Sequence, residues 1–142
     1  MPANARAAID ATLDDWHAAA AASDEERYFA HFASDGVFLG TDATERWDVA
    51  AFRAYAHAPF EAGRGWAFRS VRRAVVVEGS VAWFDEDLAT ENLGPARGSG
   101  VLRFERGRWR IAQYNLTITV PNDRFQAVRD LLRAPAPAAS AE

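Results

Sequence analysis

The chain predicts an α+β fold in which a curved antiparallel sheet wraps around N-terminal helices and closes over them as a cone. Three observations carry this prediction. Apolar residues recur at helical spacing as far as Pro59, the pattern turns β-branched and aromatic from Trp66 onward, and turn signals cut that second half into four extended segments. Helices first and strands afterwards must bury their apolar faces against each other, helices on one face of the sheet. The length of 142 residues suits one domain, expected over 1–133, and 49% hydrophobic residues can supply its core.

The first helix is predicted over Asn4 to Ala22, where Ile9, Leu13, Trp16 and Ala20 form one buried stripe. Ser23 and Glu26 make an S-x-x-E capping box, each side chain satisfying a free backbone N–H of a second helix that carries Tyr28, Phe29 and Phe32. That helix should stop near Asp35-Gly36. Val37 to Leu39 reads as a short strand, followed by a polar loop from Gly40 to Trp47. Asp48 can cap a third helix through Phe52, Tyr55 and Ala56, which Pro59 should break. The extended segments run Trp66 to Glu78, Val81 to Glu91, Arg97 to Glu105 and Arg108 to Val120, a four-stranded meander. Pro121-Asn122 ends the last strand and starts a short helix with Phe125, Val128 and Leu132 on one face. The tail, 134–142, is rich in Pro and Ala and is expected to be disordered.

Composition excludes much chemistry. With no Cys there are no disulfides, thiolate metal sites or cysteine nucleophiles, and the redox compartment leaves no mark. All sixteen basic residues are Arg, so no lysine Schiff base exists, and a net charge of −4 discourages nucleic-acid binding. No apolar run reaches the ~20 residues of a membrane span, and the N-terminus has no signal-peptide core, so the expected location is cytoplasmic. His17, His31 and His57 fall on predicted helices without H-x-x-x-H or H-x-H spacing, which argues against a metal; any one of them could face the cone, although an isolated helical His is more often a surface or capping residue. No nucleophile elbow or phosphate-binding glycine loop is present either.

The element order, together with Asp35-Gly36-Val37-Phe38-Leu39-Gly40, Gly107-Arg108-Trp109-Arg110-Ile111 and Gln113-Tyr114-Asn115-Leu116-Thr117, resembles the SnoaL-like branch of the nuclear transport factor two-like superfamily. The resemblance spans residue 5 to about 133. It implies a cystatin-like cone with a pocket between sheet and helices, usually in a homodimer, and no single reaction, since relatives include isomerases, hydrolases, cyclases and association domains. Against the steroid isomerases of that superfamily, Gly40 stands where their catalytic aspartate lies and Trp16 where their tyrosine lies. An indole donates one hydrogen bond but exchanges no proton, so that mechanism does not transfer.

Strand alternation selects the faces. With Arg106-Gly107 as a two-residue turn, Phe104 faces Trp109 and Leu102 faces Ile111, and the same count sets Gly100 opposite Gln113 and Gly98 opposite Asn115. Two amides beside two bare glycines leave room for a ligand, with Gln113 and Asn115 binding its carbonyl or hydroxyl. The plainer reading makes the glycines bulge or bend residues. About the Gly79-Ser80 turn, Val75 faces Phe84, Arg73 faces Glu86 and Val71 faces Leu88. Arg73 and Glu86 are then a neutralising pair inside an apolar face, or, if a bulge brings Arg72 there instead, Glu86 is free to move a proton. On the opposite face Trp83, Val101, Tyr114, Leu116 and Ile118 form an apolar set expected to be a dimer interface, with nearby Arg and Asp residues in cross-strand ion pairs.

These pieces predict a cofactor-free protein whose pocket takes a small, partly apolar organic molecule. Trp16, Phe38, Phe84 and Trp109 would form the walls and Trp47 would sit at the mouth. Asp42, Glu45 or Glu86 would transfer protons in an isomerase, hydrolase or cyclase type of reaction. Asp and Thr are also ordinary turn residues, so the loop from Gly40 to Trp47 has a bland reading as well. The alternative function is non-catalytic, a ligand-binding or homodimeric association domain working through its outer sheet face.

Overall fold

The computed structural model describes residues 4–135, and the expected disordered tail falls outside them from residue 136 onward. Helix α1 (Ala5–Ala21) begins where the Asn4 side chain accepts from the Ala7 amide. It buries the predicted stripe together with His17 and Ala19. Each fully buried Leu or Ile there contributes about 1.5–3 kcal/mol relative to exposure.

Helix α2 (Glu25–Ala30) follows, but its cap is Asp24, which accepts from the Arg27 amide. The capping box expected from Ser23 and Glu26 does not form. Ser23 sits at φ 56, closing α1 by donating its amide to the Ala20 carbonyl. Its hydroxyl is instead the acceptor for the Gly65 amide. That tie holds the connection after helix α3 (Val49–Glu61) against the end of α1, so close that a Cβ on Gly65 would collide with the Ala20 carbonyl.

Phe32, expected on α2, opens strand β1 (Phe32–Leu39), which is longer than predicted because the Asp35-Gly36 irregularity lies inside it. The predicted loop yields a short strand β2 (Arg46–Asp48) paired to β1. Asp48 caps α3 as expected, accepting from the Ala51 amide. Pro59 does not break α3. It lies in the last turn, where its missing N–H costs at most one helical bond, and the helix continues to bury Phe60.

Strands β3 (Arg69–Glu78), β4 (Val81–Ala89), β5 (Ala96–Glu105) and β6 (Arg108–Ile118) are the predicted meander. The sheet order is β2-β1-β6-β5-β4-β3, with β1 parallel to β6 and every other pair antiparallel. A 3-10 turn (Asn122–Arg124) leads to α4 (Phe125–Arg133). Its predicted apolar face is exposed at Phe125 and Leu132.

Two bulges decide what faces inward. On β6 the predicted pairs Phe104 with Trp109 and Leu102 with Ile111 form, but Ala112 is then extra and Val101 pairs with Gln113. The phase flips there. Gly100 meets Tyr114 and Gly98 meets Leu116, so Tyr114 and Leu116 turn into the core at 2% and 8% exposure. Gln113 and Asn115 turn outward, the reverse of the expectation. On β3 the pairs Val75 with Phe84 and Arg73 with Glu86 form as predicted, while Ser70 rather than Val71 meets Leu88 because Val71 is bulged.

Candidate functional site

A buried polar cluster and an aromatic cavity are the two places where this fold departs from simple packing. In the cluster, Glu86 on β4 is completely buried, accepts three hydrogen bonds and has one further guanidinium nitrogen at ion-pair distance. Its Oε1 takes Arg73 Nε at 2.9 Å and a terminal guanidinium nitrogen at 2.8 Å. Its Oε2 accepts from the Tyr114 hydroxyl at 2.7 Å and meets His17 Nε2 at 2.7 Å. Arg73 spends its remaining donors on α1, reaching Asp10 at 3.0 Å and Asp14 at 2.9 Å.

Burial by itself would raise the Glu86 carboxyl. The His17 hydrogen bond and charge, the Arg73 charge and the Tyr114 hydrogen bond outweigh it and bring the group down to about 2. The same surroundings push the Tyr114 hydroxyl well up, burial first and the Glu86 charge second. At neutral pH Glu86 therefore holds no proton to give. Of the two readings of this acid, the geometry is that of the neutralising pair with Arg73.

Glycine spacing makes the cluster possible. A Cβ on Gly98 would collide with the Tyr114 hydroxyl, and one on Gly100 would collide with the Gln113 carbonyl. The gap expected to hold a ligand beside these glycines is therefore filled by Tyr114, which uses the space to reach Glu86. Composition hinted at this through two alternate glycines, but the bulge at Ala112 decided which side chain used them.

The cavity, of about 240 Å³, lies between β1, α3 and the segments before β3 and after β4. Phe38, Trp47, Phe52, Tyr55, Trp66 and Phe68 supply its rings. Trp47 stacks on Phe52 at 5.4 Å and on Tyr55 at 4.6 Å, and Phe38 stacks on Phe52 at 4.1 Å. Glu45 is the acid on this wall, with Thr41, Thr90 and Asn92 as further polar groups. Its Oε1 accepts from the Asp42 amide at 3.0 Å, and it lies back over Gly40 so closely that any side chain at 40 would meet it.

Of the other predicted site residues, Phe38 and Trp47 line the cavity, whereas Trp16, Phe84 and Trp109 are buried in the core away from it. Trp16 stacks on Tyr28 at 5.0 Å and meets Tyr114 edge-on at 4.6 Å. Asp42 folds into its own turn, accepting from the Thr44 amide at 2.8 Å and hydroxyl at 2.7 Å, which hold its carboxyl below the usual range. Arg73 serves Glu86 rather than a ligand, and Gln113 and Asn115 lie on the outer face. The outer apolar set loses Tyr114 and Leu116 to the core, and Ile118 shares their inward phase at the strand end. Trp83 and Val101 remain outside, with Val76 beside Trp83. Arg72 and Asp87 make the expected cross-strand pair at 3.1 Å.

Of the two readings open for His17, it turns inward rather than serving as a surface or capping residue, and what the sequence did not reveal is its partner. Nothing in its spacing announces a partner 69 residues away on β4. No helix is long and apolar enough to cross a membrane, and among the described residues no group of three metal-capable side chains converges.

The model of the family described as SnoaL-like domain matches residues 9–121. Among solved structures, the chain is similar to a protein of unknown function with a cystatin-like fold from Nostoc punctiforme, at 19% identity over 84% of this chain and 94% of that one, TM-score 0.70. It is also similar to an NTF2-like protein of unknown function from Pseudomonas putida, at 16% identity over 87% and 92%, TM-score 0.71. A candidate aromatic ring hydroxylase from Novosphingobium aromaticivorans aligns at 19% identity over 85% and 93%, TM-score 0.69. At these identities the likeness is one of fold. No curated protein matches the chain.

Proposed function

Since the chain belongs to the SnoaL-like domain family, whose cone encloses space between sheet and helices, we propose that it binds a small, flat, partly apolar organic molecule in the aromatic cavity. The observation that carries this reading is the set of stacked rings around one open volume, with polar groups confined to Thr41, Glu45, Thr90 and Asn92. A volume of about 240 Å³ falls below the ~300–1,000 Å³ of drug-sized sites, which favours a single or fused ring over a larger ligand. Rings such as Trp47 and Tyr55 offer it stacking faces, and Glu45 can accept a hydrogen bond from a ligand hydroxyl or amine. No cofactor enters this reading.

Titration with 2-naphthol, followed by the ligand's own fluorescence, tests it. Saturable binding is expected, weakened about tenfold, or about 1.4 kcal/mol, by Trp47→Ala. Equal affinity in the wild type, Trp47→Ala and Tyr55→Ala would remove the cavity from the account.

One observation favours the association reading. Val76, Trp83 and Val101 lie side by side across β3, β4 and β5 on the solvent face, with Trp83 44% exposed. Three side chains cover only part of the ~800 Å² that each partner of a standard interface buries, so pocket binding stands first. Sedimentation equilibrium of Trp83→Arg separates the two. A fall from dimer to monomer supports association through a second copy on this row, and an unchanged mass excludes the row.

A further inference from the structure

We infer that the ligand of the aromatic cavity is an organic cation, a protonated amine carried on a flat apolar frame, with Glu45 as its counter-ion. The inference rests on the cavity reading proposed above and names the chemical class of that ligand.

Charge on the cavity wall has one sign. Among the described residues that line it, Glu45 is the one charged side chain, and the polar groups Thr41, Thr90 and Asn92 are neutral. The chain holds sixteen basic residues, all Arg, yet none of them lines this volume. An adjoining hollow shares Phe68, Thr90 and Asn92 with the cavity and adds Arg69 and Glu91, whose opposite charges offset each other. A carboxylated or phosphorylated ligand would therefore meet a carboxylate and no compensating basic group, an arrangement that selects against anions.

Glu45 also stands apart from the other shielded acids. Asp10, Asp15, Glu25, Glu86, Asp87 and Glu105 are likewise buried or half-buried, and each is ion-paired to an Arg. Glu45 is half-buried too, but among the described residues it has no ion pair, not even with its chain neighbour Arg46. A carboxylate drawn partly out of water without a cation costs free energy that an ordinary surface acid avoids. That cost falls on the one acid of the cavity wall, so the missing cation is assigned to the ligand.

The loop holds this carboxylate in place. The Gly40 amide donates to the Glu45 carbonyl at 2.8 Å, and the Glu45 amide donates to the Asp42 carbonyl at 2.9 Å. The Asp42 amide occupies only Oε1, and Oε2 has no hydrogen bond among the described residues. Acceptor capacity is thus left for an ammonium N–H, and a charge-assisted bond of that kind is roughly twice as strong as one between neutral groups. The rings add to the preference. Trp47, Tyr55 and Trp66 carry negative π faces, and a cation near such a face is attracted where an anion is repelled.

Three ligands of one shape separate the charges: 2-naphthylmethylamine, which is protonated at neutral pH, 2-naphthylmethanol and 2-naphthoate. Calorimetric titration should rank them in that order, with the amine bound about tenfold more tightly than the alcohol and the carboxylate weakest. Glu45→Gln keeps an acceptor for the Asp42 amide and should bring the amine down to the affinity of the alcohol, whose own binding stays unchanged. Should that variant disturb the loop, Asn92→Asp adds a carboxylate at an exposed lining position and should tighten the amine several-fold while weakening 2-naphthoate. Equal binding of amine and alcohol, tighter binding of 2-naphthoate, or an amine preference untouched by either substitution overturns the assignment. Saturable 2-naphthol binding that weakens in Trp47→Ala alongside such a result would leave the cavity reading intact, whereas failure of all four ligands to bind removes both.

Discussion

Glu86→Ala is expected to destabilise the chain by about 3–5 kcal/mol, the cost of breaking a buried charge pair from one side. The effect has several sources in this structure. Arg73, 6% exposed in its side chain, keeps Asp10 and Asp14 but loses the acceptor facing the interior. The Tyr114 hydroxyl, fully buried, is left without an acceptor. For a domain of this size such a loss corresponds to a fall in Tm of about 10 °C or more. Thermal melts followed by far-UV circular dichroism check it, and a fall below about 2 °C would show that the cluster is not what holds α1 to the sheet.

The same carboxyl fixes the direction of the pH dependence. Its folded value, about 2, lies below the ordinary value of 4.5, so its contribution is fully present above about pH 4.5 and is lost as the pH falls toward 2. The difference corresponds to about 3 kcal/mol. Denaturant midpoints of the wild type should drop across that window, and in Glu86→Ala this part of the drop should be missing.

Gly98→Ala is the second large effect, expected to cost about 3 kcal/mol although it adds a single methyl group. The new Cβ would occupy the place of the Tyr114 hydroxyl, so the phenol must leave Glu86. Overpacking contributes about 1–3 kcal/mol, and the lost hydrogen bond to a charged acceptor about 1.5–3 kcal/mol. The two sites are coupled. In a Tyr114→Phe background the hydrogen bond is already absent, so Gly98→Ala should cost less there, leaving only its clash with the ring end. Additive costs in a double-mutant cycle would mean that glycine at 98 serves the backbone alone.

Much of the fold was legible because its signals are local. The stripe Ile9, Leu13, Trp16 and Ala20, the cap at Asp48 and the turn at Arg106-Gly107 each act within a few residues, and each formed. The pairing of Arg73 with Glu86 was legible for the same reason, since it lies only a few pairs from a tight turn. Errors entered where a bulge intervened. One extra residue at Ala112 exchanged Gln113 and Asn115 for Tyr114 and Leu116, because strand phase has period two and a single insertion inverts everything beyond it. That inversion displaced the predicted ligand contacts and half of the predicted outer patch together. Ser23 was misread because capping rules assume ordinary backbone, and its positive φ turns the side chain toward Gly65. His17 was beyond reach, since its role rests on a partner brought close only by the packing of α1 across β4.

Strand β6 lies between β1 and β5, and its Tyr114 meets both Trp16 and Glu86. On a ribosome this arrangement becomes a delay. Trp16 emerges about a hundred residues before the ring it packs against, and at roughly 5–20 residues per second that interval is about 5–20 s. During it the apolar stripe of α1 has only an unfinished sheet to cover, and His17 and Arg73 have a cluster that still lacks Tyr114. The last strand made is therefore the one that converts a loose collection of helices and hairpins into a closed cone, and a chain cut short before Tyr114 would keep its aromatic interior exposed.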